Sequence, residues 1–495
     1  MVMPTATASG LRRHFIGGQW LDADGETRPL RNPTTGQVHG QLALGGEAEV
    51  AMAVQAARKA LEGPWGRMST AARCDLLDRI ADRLLERLED LVAAEVGDTG
   101  KPAHEARSWE LPRAAANFRS FAAIARGRAD EVFRMRTADG LDVMNTVLRA
   151  PIGIVGLIVP WNLPLLLLTF KAAPALAMGN VVIVKPSEET PTTACLLAEI
   201  MAEVGVPDGV FNVVHGLGAG GAGEALVRHP DIRAIAFTGE SATGRAIMAT
   251  AADGLKALSF ELGGKNAALV LEDADLDAAV AGTARSAFLN TGQVCLCTER
   301  IYVARSLYEP FVERLAAEAR KWVPGDPWQA ETRLGPVISE GQRERIRRYA
   351  ALAEASGTVR AGGVVPEMPD DLAGGWWFAP TVWTDLSEDH PCVREEVFGP
   401  VCHVAPFDTE DEALTMANAS PYGLAGVIWT RDLERAMRVS RRLEAGLTWV
   451  NSWYLRDLRT PFGGVKASGI GREGGTWSLD FFSETRTICI PWGES

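Results

Sequence analysis

Cysteine is scarce in this chain. There are 7 in 495 residues, an odd number, which disfavours a disulfide scaffold and makes a reducing cytoplasm the expected compartment. No pair of Cys-x-x-Cys motifs and no His/Cys cluster has zinc spacing, so no metal is expected. Positive charge is also short: 50 Lys+Arg against 63 Asp+Glu leave a net charge of −13. Nucleic acid is therefore an unexpected partner, because a general binder needs a basic footprint. An anionic membrane surface is disfavoured for the same reason. Taken at face value, the balance disfavours small anions too. Residues 1–20 hold Arg12 and Arg13 but lack the apolar run of a secretory leader. One uncharged stretch has the length of a membrane span, residues 150–170. It is interrupted by Pro151, Pro160, Asn162 and Pro164, and proline removes a donor and breaks helices. It reads instead as a buried strand, a turn and a helix.

What is present is a folded α/β composition. Apolar residues make up 47% and charged residues 23%, which places the chain among globular proteins. Its length suggests two to four domains. The first 30 residues read as an arm with short strands. Leu76, Leu77, Ile80, Leu84, Leu88 and Leu91 recur at helical spacing and predict one helix over 70–96, capped by Ser69 or Thr70. A second helix is predicted over 103–126. From 152 to 271, β-branched runs at 152–159, 181–185, 210–215 and 234–238 alternate with helical stretches. That alternation implies a doubly wound parallel sheet, with ligands at the carboxyl ends of its strands. A second α/β stretch follows to about residue 450. The tail, 476–492, alternates like an edge strand that can pair with another subunit.

Several constellations can carry chemistry. Cys295 sits in NTGQVCLCTER, residues 290–300, among small residues that suggest a turn. A thiolate there would be a nucleophile, although free cysteine is most often inert and buried. Cys297 is read as a spare thiol lining the same site. Glu261 ends an apolar run, where burial would raise its pKa and suit it to general-base work. A structural ion pair with Lys265 is the plainer alternative. Asn162 lies between Pro160 and Pro164, which fix its backbone; a fixed amide donor can stabilise an oxyanion, and a turn asparagine bonding its own backbone is the commoner case. Lys185, Ser187 and Glu188 end a Val/Ile strand, where a Lys and a Glu can grip ribose hydroxyls and the carboxylate repels a 2′-phosphate. Gly218, Gly220 and Gly223 match G-x-G-x-x-G between a strand and a helix, a weak signal in a chain with 50 glycines.

Taken in order, the motifs resemble the NAD(P)-dependent aldehyde dehydrogenase superfamily over nearly the whole chain. They are PWNLP at 160–164, KPSE at 185–188, FTG at 237–239, FELGGK at 260–265, GQVC at 292–295, EEVFGP at 395–400 and PFGG at 461–464. The resemblance implies that Cys295 is the nucleophile, Glu261 the general base, and Asn162 the oxyanion donor together with the Cys295 N–H. It implies NAD as cofactor, contacted by Trp161, Lys185, Ser187, Glu188, Gly218, Phe237, Thr238, Gly239, Leu262, Glu396 and Phe398. Glu240 stands where the family usually has serine near the pyrophosphate, which puts that phosphate contact in question.

Two further segments, WELPRAAANF at 109–118 and LRDLRTP at 455–461, look like the muconate-type semialdehyde dehydrogenases of that superfamily. Arg113 and Arg456 then read as a clamp for a substrate carboxylate, with Arg459 as the substitute for Arg456 and Leu163 on the tunnel wall. The implied substrate is a 2-hydroxymuconate or 2-aminomuconate 6-semialdehyde. The alternative keeps the enzyme and takes an uncharged aldehyde. A CoA-acylating relative would usually lack the glutamate, which is present here as Glu261. The resemblance also implies an NAD-binding domain (1–129 and 149–260), a catalytic domain (261–448), a substrate-loop segment (449–474), and a bridging sheet (130–148 and 475–495) that pairs subunits into a homodimer or homotetramer.

Overall fold

A computed structural model describes residues 10–21 and 25–492. Residues 1–9 and 22–24 of the expected N-terminal arm, and 493–495 of the tail, lie outside the described residues. The described residues form the expected α/β fold, with two large sheets and three smaller ones, two antiparallel and one mixed.

The first large sheet has eight strands. Its centre is parallel, in the spatial order Ala257–Glu261, Ile232–Thr238, Ile154–Ile158, Val181–Lys185, Phe211–Val213. Val181–Lys185 is buried at every position, as an uninterrupted Val/Ile run must be when helices cover both faces of a parallel sheet. The uncharged stretch resolves as read: strand Ile154–Ile158, a turn, then helix Pro164–Ala177 with proline in its first turn. No helix among the described residues is long and apolar enough to cross a membrane.

The second large sheet is mostly parallel and runs Thr358–Ala361, Thr381–Thr384, Val401–Phe407, Thr298–Ala304, Asn266–Val270, Ala425–Trp429, Leu447–Val450. In a third sheet, Ser483–Trp492 pairs antiparallel with Asp142–Pro151, which pairs with Glu131–Arg136.

Two predicted elements differ. The helix expected over 70–96 is two helices, Thr70–Glu86 and Leu88–Thr99. The first is capped by the Ser69 hydroxyl, which accepts from the Ala72 N–H at 3.2 Å. The break falls at Arg87, whose guanidinium is drawn to Glu199 at 3.1 Å and Glu203 at 2.9 Å on a neighbouring helix. The tail begins with a helix, Gly475–Phe481, before its strand. Gly474 (φ +86°) and Gly475 (φ +50°) take left-handed backbone, and the Gly474 N–H donates to Ser478 Oγ at 2.8 Å. That turn starts a helix which buries Leu479.

Candidate active site

Cys295 lies on a loop between the short helix Leu289–Gly292 and the strand Thr298–Ala304. The loop enters through left-handed residues: Asn290 has φ +51° and Thr291 φ +58°. Non-glycine residues adopt this only when their surroundings hold them, at about 1–3 kcal/mol each. The holding groups are visible. Asn290 Nδ2 donates to the Asn162 carbonyl at 3.0 Å, and Gln293 Oε1 accepts from the Ile338 N–H at 2.9 Å. Asn266 Nδ2 donates to the carbonyls of Cys295 at 2.7 Å and Cys297 at 2.8 Å. Gly292 (φ +69°) packs so closely on the Gly399 carbonyl that a Cβ there would collide with it.

Asn162 joins this loop from the turn between the strand Ile154–Ile158 and the helix Pro164–Ala177. Its Nδ2 donates to the Gln293 carbonyl at 2.9 Å, which leaves its second amide hydrogen for a ligand. Its own carbonyl accepts from Lys101 Nζ at 3.1 Å, and Lys101 is in turn buried between Glu95 and Glu110. The Cys295 N–H faces its own sulfur. Asn162 and Cys295 line one groove, which brings two candidate donors to the same wall, as an oxyanion site requires.

Two cavities meet at the cysteine. One is a groove of about 710 Å³ including its mouth, lined by Trp161, Asn162, Leu262, Glu396 and Phe398 among others. The other is a narrower chamber walled by Leu163, Leu167, Phe170, Trp449, Tyr454 and Phe462. Cys295 is the one residue that lines both. A two-substrate reaction at one sulfur needs this arrangement, with each reactant arriving from its own side.

Glu261 ends the strand Ala257–Glu261 and is buried, and neither carboxylate oxygen has a hydrogen-bond partner among the described residues. Lys265 bonds Glu299 instead, so the ion-pair alternative for Glu261 does not apply. Burial, and then the nearby Glu473 carboxylate, push the Glu261 pKa well up, against the pull of Lys171 and Arg472. Glu473 itself pairs with Lys171. Burial and the Glu261 and Glu396 carboxyls likewise raise the Cys295 thiol above its ordinary range. Both side chains therefore favour their protonated forms. Burial and Glu299 push Glu396 up to about 8, against the hydrogen bond it accepts from the Gly264 N–H at 2.8 Å.

The remaining predicted residues fall into place unevenly. Arg113 and Arg456 both line the chamber. Arg456 stacks its guanidinium on Phe170 and Phe462, at 5.0 and 4.7 Å from the ring centres. Neither arginine has an ion pair with a carboxylate among the described residues. Lys185 Nζ lies 2.8 Å from Glu188 Oε2, and Ser187 is buried beside them. Thr238 and Gly239 line the groove, and the Phe237 ring lies against Gly239.

Three expectations are corrected. Arg459 is outside the chamber: its side chain is 77% exposed and bonded to Asp457. Cys297 does not line either cavity; it is buried, with Sγ 3.9 Å from the Leu289 carbonyl, because the chain alternates direction as it enters the strand. The turn at Gly218 offers less than its motif suggests, since the Gly220 N–H already donates to Glu224 Oε2 at 2.9 Å.

Glu240 does line the groove, yet its carboxylate is mostly exposed and faces Arg345 at 3.5 Å. Arg345 and Gln342 are groove residues that the sequence reading missed. They come from the helix Glu340–Ser356, about fifty residues before the motif they touch, with no local signature. Tyr454 and Asn117 are missed chamber residues. Asn117 was legible in principle, four positions after Arg113 on one helix face.

The model of the aldehyde dehydrogenase family matches residues 20–488. This chain belongs to the aldehyde dehydrogenase family. It is 53% identical over 480 residues to the 2-hydroxymuconic semialdehyde dehydrogenase of Pseudomonas sp. (strain CF600), covering 97% of this chain and 99% of the relative. It is 50% identical over 482 residues to the 2-aminomuconic 6-semialdehyde dehydrogenase of a Pseudomonas species, covering 97% of each. The solved NAD+ complex of an aldehyde dehydrogenase from Bacillus cereus has a TM-score of 0.93 at 37% identity, over 97% of this chain and 96% of that one. As an aldehyde dehydrogenase, the chain is an oxidoreductase whose substrate is a small aldehyde.

Proposed function

We propose that this aldehyde dehydrogenase uses NAD to oxidise a semialdehyde carrying a carboxylate at its far end, of the 2-hydroxymuconate or 2-aminomuconate 6-semialdehyde type. The observation that carries this is that Arg113 and Arg456, in the chamber that ends on Cys295, have no carboxylate partner among the described residues, Arg456 donating only to the Thr460 carbonyl at 3.3 Å. A guanidinium binds a carboxylate through two parallel hydrogen bonds. Burial, and then the like charge of Arg113, pull the Arg456 pKa down to about 10. Two cations held this close favour an anion between them. The relatives named above support the same substrate class.

The groove fits a nicotinamide dinucleotide. A Cβ at Gly263 would strike the Glu396 carboxylate, and one at Gly239 would strike the Phe237 ring, so glycine at both positions lets these side chains pack against the backbone of the groove. The Thr238 hydroxyl is buried there without a partner among the described residues. Trp161 and Phe398, edge to face with centres 5.3 Å apart, wall the groove near the sulfur. At the end of the strand Val181–Lys185, burial raises Glu188, but Lys185 and Arg28 outweigh it and hold the carboxylate below its usual range. An ionised Glu188 beside Lys185 suits ribose hydroxyls and repels a 2′-phosphate, which favours NAD over NADP.

The chain's residues divide the reaction between them. Cys295 Sγ adds to the aldehyde carbonyl once its proton has left, and Glu261 is the base whose raised pKa suits it to take that proton. The Asn162 amide and the Cys295 N–H hold the oxyanion, each donor worth about 3 kcal/mol in the transition state. Bound NAD supplies the acceptor for the hydride that leaves the substrate carbon. Once Glu261 has passed the thiol proton to solvent, it deprotonates a water that attacks the thioester carbonyl; the C–S bond breaks, the acid leaves and Cys295 takes a proton back. The arginine clamp fixes the distal carboxylate, so the aldehyde carbon is presented to Sγ in one pose.

The third sheet supports assembly into a homodimer or homotetramer. Its strands expose Val132, Phe133, Met135, Ile488 and Ile490, apolar groups of the kind subunit contacts bury. The low cysteine count, with every cysteine free, supports a reducing cytoplasm.

A panel of aldehydes with NAD, read as NADH absorbance, tests the reading. The carboxylated semialdehydes are expected to exceed betaine aldehyde and aliphatic aldehydes in kcat/KM by about a hundredfold or more, the scale of a two-arginine contact. Equal kcat/KM across the panel would favour the uncharged-aldehyde alternative.

A further inference from the structure

One chamber residue has no part in the clamp or in the chemistry at sulfur. Asn117 lies on the helix Leu111–Arg126, one turn beyond Arg113, and lines the same chamber. Its neighbours on that helix, Ala114, Ala115, Phe118 and Phe121, are buried and apolar, so a leucine would suit the packing. The asparagine is fully buried.

The orientation of its amide is fixed by its partners. Nδ2 donates to the Leu166 carbonyl at 3.2 Å and to Thr169 Oγ1 at 3.0 Å. Thr169 Oγ1 spends its own proton on the Leu166 carbonyl at 3.1 Å, so toward Asn117 it can only accept. Both Nδ2 hydrogens are therefore used, and Oδ1 is the acceptor left over. It has no partner among the described residues. A buried acceptor without a donor is uncommon in a native structure, and a chamber wall is where a ligand supplies the missing group.

We infer that Asn117 Oδ1 accepts a hydrogen bond from a donor on the carbon next to the clamped carboxylate, making it a specificity-determining residue for substrates with a hydroxyl or amino group there. This rests on the carboxylate reading of Arg113 and Arg456. Residues four apart on a helix face one another's ligands across about 6 Å. A carboxylate on Arg113 thus brings its neighbouring carbon toward Asn117. The other walls near Asn117 are Leu166, Leu167 and Phe170, which accept no hydrogen bond from their side chains.

The test compares three substrates: 2-hydroxymuconate 6-semialdehyde, its 2-fluoro counterpart, which keeps shape but has no donor, and 6-oxohexanoate, which has the carboxylate alone. In the native enzyme the hydroxy substrate is expected to exceed the fluoro one in kcat/KM by about tenfold or more, because a site built for a donor discriminates against its absence. Asn117→Leu is expected to bring the two to the same value while 6-oxohexanoate changes by less than about twofold. Asn117→Gln, which keeps both the amide donors and the acceptor, retains the preference. If the leucine variant keeps the hydroxy preference, Asn117 is only a tie between two helices and the inference is wrong. If the leucine variant does not fold, the remaining arms decide: loss of the preference in Asn117→Gln, or no preference in the native enzyme, overturns it. Failure of the underlying clamp looks different. Arg113→Ala and Arg456→Ala would then leave KM for 6-oxohexanoate unchanged, whatever Asn117 does.

Discussion

Asn162, from the turn before the helix Pro164–Ala177, donates to the Gln293 carbonyl at 2.9 Å, two residues before Cys295. One side chain therefore both locks the cysteine loop and keeps an amide hydrogen for the oxyanion. Asn162→Ala is expected to lower kcat by about a hundred- to a thousandfold, the usual loss for one oxyanion donor. Pre-steady-state NADH formation checks it: the slow step should move to hydride loss and the burst should vanish. An undiminished burst would remove Asn162 from the oxyanion site.

Glu261→Gln separates the two half-reactions. One equivalent of NADH per active site is expected to form, slowly where Glu261 also takes the thiol proton, and turnover is expected to stall at the thioester. Mass spectrometry of the stalled enzyme should find the acyl group on Cys295.

The same substitution has a pH-dependent effect on stability. The fold raises the Glu261 pKa above its ordinary 4.5, so the folded state favours the protonated carboxyl. Its stabilising contribution is full below about pH 4.5 and is lost as pH rises through the higher folded value. A glutamine does not ionise. The Tm of Glu261→Gln minus that of the native protein should therefore grow as pH is raised from about 4.5. A difference that shrinks with pH would contradict the burial described here.

Gly463 has φ +148°, and a Cβ there would sit 2.8 Å from Glu261 Oε1. Gly463→Ala combines a backbone penalty with pressure on the base. Thioester release should slow more than its formation, so a burst should grow as steady-state kcat falls. Equal slowing of both phases would place Gly463 outside the path of Glu261.

The thiol offers a check independent of turnover. Burial and the Glu261 and Glu396 carboxyls hold the Cys295 pKa high. Replacing Glu396 with glutamine removes one of those charges. The pH profile of alkylation by iodoacetamide should shift to lower pH in that variant.

Much of this was legible along the chain. Val181–Lys185 declares itself by an unbroken β-branched run, and Thr70–Glu86 by leucines one turn apart behind a serine cap. Cys295, Glu261 and Asn162 stand out through the order of the motifs that hold them, since each alone has a plainer local reading. What escaped depends on partners far away in sequence. The break at Arg87 is made by Glu199 and Glu203, and Arg345 reaches the groove from a helix whose pattern says nothing of a ligand. Cys297 and Arg459 were misplaced by one strand direction and one turn, which motif spacing does not resolve. The net charge of −13 likewise says nothing of two arginines facing a buried chamber.

Recognition of a substrate carboxylate by Arg113 and Arg456 is tested most directly by the ratio of kcat/KM for 6-oxohexanoate to that for hexanal, in the native enzyme and in the Arg113→Ala/Arg456→Ala double variant. The ratio is expected to fall by about a hundredfold or more in the variant, through KM for the acid, while hexanal is little changed. A ratio that stays the same would contradict it.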